Sequence, residues 1–386
     1  MFLSRLKNKK EVISWSLYDF ANQPFTTIIV TFVYGAFFTS VIASDENTGT
    51  LFWTWGIAST AIIVSILSPI LGALADKGGY RKFFLILFTW ICAIFSILLY
   101  FPQSGDVFFA LSLFVIANIS FELGSVFCNS YLQDLSEDSN IGKISGFAWG
   151  LGFVGGLLAL FISFSLFELN SVGIRGINIL VGVWFLIFSI PTFLFVKDRK
   201  KDKLTKKHFV DSFDSIKTTF KEVVKYKIIM KFLIARLFFN DGLITIFSLG
   251  GIYAVDTLDF TFDEVMMLGI VLNISAAIGS FVFGYLEDKI GVKKVINISL
   301  VVLVFSTLLA FIAPYFKFQK EIFWIAGVLI GLMVGPNQSC SRSLMAKLTP
   351  KEKQNEFFGF FALTGKATSF LGPVLFGIIT FNFSQQ

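Results

Sequence analysis

The chain has 386 residues, of which 55% are hydrophobic and only 15% charged, with a formal net charge of +6. A soluble domain is about a quarter charged, so this composition excludes an ordinary soluble globular protein and makes lipid the solvent for most of the chain. A helical span needs roughly 20 apolar residues, which leaves room for about a dozen spans with short connections.

The basic N-terminus, Met1–Lys10, precedes an apolar stretch too long for a signal core and without a small-residue cleavage site, so it reads as a cytoplasmic tail. The first predicted span, 14–42, carries Asp19 beside Asn22, Gln23 and Pro24. Here the proline either breaks the helix and frees carbonyls for a ligand, or kinks it beside an interfacial acid. Spans follow at 51–75, 82–101, 107–132, 144–167 and 174–196, with Glu122 inside the fourth. A long polar connection then holds Phe209, Phe213, Ile216, Phe220 and Val223 at helical spacing among Lys and Asp, which suits an amphipathic helix on the cytoplasmic membrane surface. It also holds the single histidine, His208, read as a solvated residue. Five further spans lie at 229–254, 264–286, 293–313, 321–345 and 357–380. The expected division is a six-helix bundle over 1–196, a linker over 197–228 and a second bundle over 229–386.

The basic residues orient these eleven spans. Of the 32 Lys and Arg, 27 fall on segments placed inside by a cytoplasmic N-terminus. Only Arg175, Lys317 and Lys320 fall outside, while Arg236 and Lys366 lie within spans. Lys and Arg resist translocation, so this bias predicts a multi-pass inner (plasma) membrane protein with its N-terminus in the cytoplasm.

The two halves repeat. Gly72-Ala-Leu-Ala-Asp76-Lys77-Gly-Gly79-Tyr-Arg81-Lys82 recurs 212 residues later as Gly284-Tyr-Leu-Glu-Asp288-Lys289-Ile-Gly291-Val-Lys293-Lys294. Weaker matches, Ser130 to Ser343 and Gly146-Phe147 to Gly359-Phe360, keep a shift of 213. Each strong copy occupies a short hairpin between spans. Its first glycine allows close helix approach and its later glycine a tight turn. Its aspartate can take hydrogen bonds from a neighbouring helix N-terminus or pair with the loop's cations. Contacts that hold one side shut in one state and break in the other form a gate, assigned to Gly72, Asp76, Lys77, Gly79, Arg81, Gly284, Asp288, Lys289, Gly291, Lys293 and Arg342. Arg342 is expected to pair with Asp134 or Glu137.

The motif resembles the loop pattern G-x-L-A-D-[RK]-x-G-[RK]-[RK] of the major facilitator superfamily, departing in both copies at Tyr80 and Val292. Trp15-Ser-Leu-Tyr18-Asp19-Phe-Ala21-Asn22, Arg236-Leu-Phe-Phe-Asn240-Asp241-Gly242, Gly250-Gly251-Ile-Tyr253-Ala254, Ser341-Arg342-Ser343-Leu344 and Phe358-Gly359-Phe-Phe-Ala362-Leu-Thr-Gly365-Lys366-Ala367 resemble its vacuole effluxer-like branch. The resemblance implies an all-α membrane fold of two pseudo-symmetric bundles with twelve helices. It also implies transport, with amino-acid release associated with the eukaryotic relatives. Eleven spans are one short. The partner of 174–196 would fall beyond Gln386, so a twelfth helix is expected to be missing and the C-terminus to lie outside.

Ionisable groups inside a bilayer are costly and mark candidate solute or proton sites. Asp241 lies well inside the seventh span, with Arg236 one turn before it and Asn240 adjacent. Arg236 pairs either with Asp241 or with another helix, and Lys366 requires either a lowered pKa or a carboxylate partner, Asp241 or Glu122. Asn337 and Gln338, after Gly335-Pro336, sit at an expected helix break and either recognise the ends of a zwitterion or pack helices. Asp19 and Asn22 complete the candidates.

Cys92, Cys128 and Cys340 lie at unrelated spacings and support neither a disulfide nor a zinc site. No phosphate loop or metal cluster is visible, so neither enzyme chemistry nor a cofactor or metal is expected. The reading is a monomeric secondary transporter, directed outward, of a small polar solute such as an amino acid, with the lipid bilayer, the solute and coupling protons as partners and no nucleic acid. A multidrug or lipid-like exporter and a non-transporting receptor remain as alternatives.

Overall fold

The structure is a computed structural model that describes residues 6, 8–43, 45–168, 170–198 and 226–367. The expected linker helix, the end of the last span and anything after it lie outside the described residues. We number the long helices α1 (Lys9–Ile42), α2 (Glu46–Gly78), α3 (Arg81–Leu98), α4 (Val107–Asn129), α5 (Ile141–Leu166) and α6 (Ser171–Phe195), followed by α7 (Lys227–Leu258), α8 (Phe262–Ile290), α9 (Val292–Ile312), α10 (Gln319–Leu348) and α11 (Gln354–Lys366). Among the described residues nine helices are long and apolar enough to cross a membrane. Counting α7, which bends by 41° between Phe247 and Leu249, gives ten. The eleventh, α11, is described for only 13 residues.

Local chemistry sets the boundaries. Asp45 accepts the Thr48 amide at the start of α2, and Asn170 accepts the Val172 and Gly173 amides at the start of α6. Thr261 and Glu264 form a reciprocal capping box at the start of α8. Gly79 (φ 69°) and Gly291 (φ 95°) end α2 and α8 in conformations that a side chain would strain.

In α1 the α-helix ends at Pro24 and the chain continues as a π-helix over Phe25–Phe32. Pro24 has no N–H to give to the carbonyl of Phe20, and the Trp184 indole on α6 donates to that carbonyl instead, at 3.2 Å. The expected break is therefore a change of helix type backed by a neighbouring helix.

The first six helices pack chiefly as α1 on α5 and α6, α3 on α4 and α6, and α2 on α4. After them, α10 packs on α8 and α9, and α7 on α11. The two sets meet mainly through α2 against α11 and α5 against α8. The internal offset converts one pair into the other. Large apolar side chains such as Ile62, Ile66, Phe161, Val301 and Phe311 are exposed on the outer surface, as lipid contact requires. The three cysteines are buried and free.

Candidate solute site and closed end

A polar cluster joins α4, α7, α10 and α11. Arg236 and Asn240 stand four residues apart on one face of α7. The Arg236 guanidinium donates to the Phe361 carbonyl at 2.7 Å and the Thr364 hydroxyl at 3.3 Å, and its carbon lies 3.6 Å from the centre of the Phe361 ring. Arg236 therefore bonds to another helix rather than to Asp241, its neighbour on α7. The Asn240 amide donates to the Gly365 carbonyl at 3.0 Å and accepts from Gln338 at 3.2 Å. The Lys366 ammonium lies 2.6 Å from a Glu122 carboxylate oxygen, with side chains 33% and 17% exposed. That pair ties the first set of helices to the second. Glu122 also acts electrostatically on Arg236. The Glu122 carboxylate thus pairs with one cation and acts on a second at longer range, beside two amides.

The other candidates lie elsewhere. Asn337 does not offer itself at a helix break. α10 runs unbroken through Pro336, and Asn337 is fully buried, donating to Ser299 on α9 at 3.1 Å. The Leu332 carbonyl, which Pro336 cannot bond, is packed against Gly279 of α8. Asn22 is buried within α1. Arg342 pairs with neither Asp134 nor Glu137. It donates to Asp19 at 2.7 Å, while Asp134 is held by Arg81 at 2.7 Å.

Both copies of the repeated motif lie at one end of the bundle, the motif end, and each aspartate caps a helix of the opposite set. Asp76 accepts the Asn355 and Glu356 amides at 3.2 and 2.8 Å, and the Asn355 side chain at 2.7 Å. Asp288 accepts the Gly142 and Lys143 amides at 2.8 and 3.1 Å, with the Lys143 ammonium at 3.4 Å. These four amides belong to the first turns of α11 and α5, where helix N–H groups lack intrahelical partners and the helix dipole favours an anion. The glycines permit the approach. A methyl on Gly146 would lie 2.7 Å from the Gly284 Cα, and one on Gly359 would lie 2.7 Å from the Pro69 Cα. Gly72 faces the Asn355 backbone equally closely.

The motif cations behave differently in the two copies. Arg81 is buried, donates to the Ser130 carbonyl (3.1 Å), Gln354 (3.0 Å) and Asp134, and lies over the Tyr131 ring. Lys293, its counterpart, is exposed, as are Lys77 and Lys289, the last over the Tyr285 ring. Sequence reasoning passed over Glu287. It is fully buried beside Asp288, neither carboxyl oxygen has a well-formed hydrogen bond, the Cys340 thiol and Ser343 hydroxyl lie beside it, and the Lys347 ammonium is 3.8 Å away. The signal was present, because the first copy has Ala75 at that place. Among the described residues no His, Cys, Asp and Glu side chains group as a metal site.

An all-helical membrane protein whose halves repeat one loop motif and interlock through it is a transporter of the major facilitator superfamily, and solved structures share the fold. The proton:xylose symporter XylE matches with a TM-score of 0.74 at 13% identity, covering 97% of this chain and 89% of that one. The human organic anion transporter MFSD10 matches with a TM-score of 0.70 at 13% identity, covering 97% and 94%. Within the superfamily the chain belongs to the family described as vacuole effluxer Atg22 like, whose model matches residues 50–142 and 133–384. An uncharacterized MFS-type transporter, YxiO of Bacillus subtilis, is 28% identical over 96% of this chain and 88% of its own. Autophagy-related protein 22 of Coccidioides immitis is 22% identical over 89% of this chain and 70% of its own. These relatives are named as transporters or autophagy-related proteins, and none as an enzyme.

Proposed function

We propose that the chain is a secondary transporter that moves a small polar solute outward across the plasma membrane by alternating access, with the N-terminus and the motif end in the cytoplasm. The observation that carries this reading is the Glu122–Lys366 pair, which joins the two sets of helices and is partly exposed. A zwitterion offers a carboxylate to Lys366 and Arg236 and an ammonium to Glu122, so an amino acid can replace the pair without leaving either buried charge bare. Asn240 and Gln338 supply amide donors and acceptors around it. The outward direction follows the effluxer family, and the orientation follows the basic residues. Protons are the proposed coupling ion, with Glu122 and Asp241 the intramembrane acids that would carry them.

Counterflow of radiolabelled amino acids in proteoliposomes tests this. Glu122→Gln and Lys366→Gln are each expected to cut exchange at least about tenfold, the equivalent of about 1.4 kcal/mol, with insertion unchanged. Wild-type exchange in both variants would remove the pair from the mechanism. Binding without exchange of any solute would make the protein a receptor.

A further inference from the structure

We propose that Arg342 and Asp19 form the latch that keeps the motif end shut, and that Asp19 serves the conformational cycle rather than solute contact. The proposal rests on the alternating-access reading above.

Arg342 belongs to α10, yet its guanidinium is spent on the opposite set of helices. It reaches Asp19 on α1 (2.7 Å), Asn129 on α4 (3.1 Å), and the Ser145 hydroxyl (3.0 Å) and carbonyl (2.8 Å) on α5. Its side chain is 2% exposed, with the Trp15 ring 4.8 Å and the Trp149 ring 5.6 Å from the guanidinium carbon. Aromatic walls keep water from the charges, so the pair is held in a medium of low polarizability where separating it is costly. A fork of this kind holds three helices at once, as a lysine ammonium cannot.

Position gives the fork its role. Ser145 lies on the first turns of α5, three residues after Gly142, whose amide Asp288 caps, and next to Gly146, which packs on Gly284. Opening the motif end must draw α5 from α8 and α10, and Arg342 bonds α5 directly. Gln338 stands four residues before Arg342 on the same face of α10 and bonds Asn240 in the solute cluster. One rigid helix therefore touches the solute cluster and the latch one turn apart, so a solute that displaces Gln338 also moves Arg342. The latch is single. At the internal offset of 213 the counterpart of Arg342 is Asn129, a neutral side chain that Arg342 itself contacts.

Hydrogen exchange read by mass spectrometry on the purified full chain, without solute, tests the latch. Arg342→Gln and Asp19→Asn are each expected to speed exchange about tenfold at the motif-end amides of Gly142, Lys143, Asn355 and Glu356. Exchange at Val172, Gly173 and Glu264, the capped amides of the opposite end, should stay unchanged. The double variant should match the single ones, because both remove the same bond. Arg342→Lys, which keeps the charge but loses the fork, should fall between. Unchanged motif-end exchange, or an equal rise at both ends, would overturn the latch, the second outcome making Arg342 a packing residue only. A Ser145→Ala variant gives a milder reading if the arginine variants fail to fold. Absence of any solute-induced change in wild-type exchange would count against alternating access while leaving the latch result intact.

Discussion

Burial of a carboxyl group with neither oxygen in a well-formed hydrogen bond is a cost that the fold must carry, and Glu287 carries it with the Cys340 thiol and Ser343 hydroxyl beside it. Its nearest cation, Lys347, is 3.8 Å away and partly exposed, so the pair recovers little of the desolvation. Replacing a poorly satisfied buried charge by an apolar group of similar volume is often neutral or stabilising. Glu287→Met is therefore expected to raise unfolding stability by about 1–3 kcal/mol, or leave it unchanged, in thermal melts of the purified protein. A fall in melting temperature would show that the ionised group is held well. At this scale the sequence disclosed which residues were unusual but not their partners. Lys366 needed a carboxylate, and only the fold chose Glu122. Arg342 and Asp19 stand 323 positions apart on opposite sets of helices, a pairing that no local spacing encodes.

Between elements, the motif acts through glycine as much as through charge. α5 and α8 touch backbone to backbone at Gly146 and Gly284, and α2 and α11 do so at Gly359 and Gly72. Gly284→Val would set a branched side chain against the Gly142 carbonyl and the Gly146 Cα, at 2.8 and 2.9 Å from the new Cβ. Overpacking of this kind costs about 1–3 kcal/mol. Here the cost falls on the closed arrangement alone. The expected outcome is a protein that inserts normally but exchanges faster at the amides of Gly142 and Lys143; unaltered protection would mean that the helices can move apart while the motif end stays closed. The helices themselves were largely legible. Apolar runs bounded by charge placed ten long helices within a few residues, and of the two readings open for the repeated aspartates, helix caps or partners of the loop's cations, the caps are what the fold forms. The break expected at Pro336 was not found: α10 continues through it with the Leu332 carbonyl packed against α8, a helix from a distant part of the sequence.

For the molecule as a whole, the closed motif end and the charge bias make one joint statement about sidedness. If the sequence segments that carry 27 of the Lys and Arg lie in the cytoplasm, the clamps of Asp76 and Asp288 shut the inner side. Native cysteines are buried, so an introduced thiol reports its own position. Tyr315, 80% exposed in the turn between α9 and α10, lies at the end opposite the motif, whereas Lys293 is exposed in the second copy of the motif itself. A membrane-impermeant maleimide applied to intact cells is expected to label Tyr315→Cys and to spare Lys293→Cys, and inverted vesicles should show the opposite. The reverse pattern would turn the molecule over and place the closed end outside. Equal labelling of both from one side would contradict a bundle that spans the bilayer, since helices of about 20–30 residues rising 1.5 Å each put the two positions on opposite surfaces.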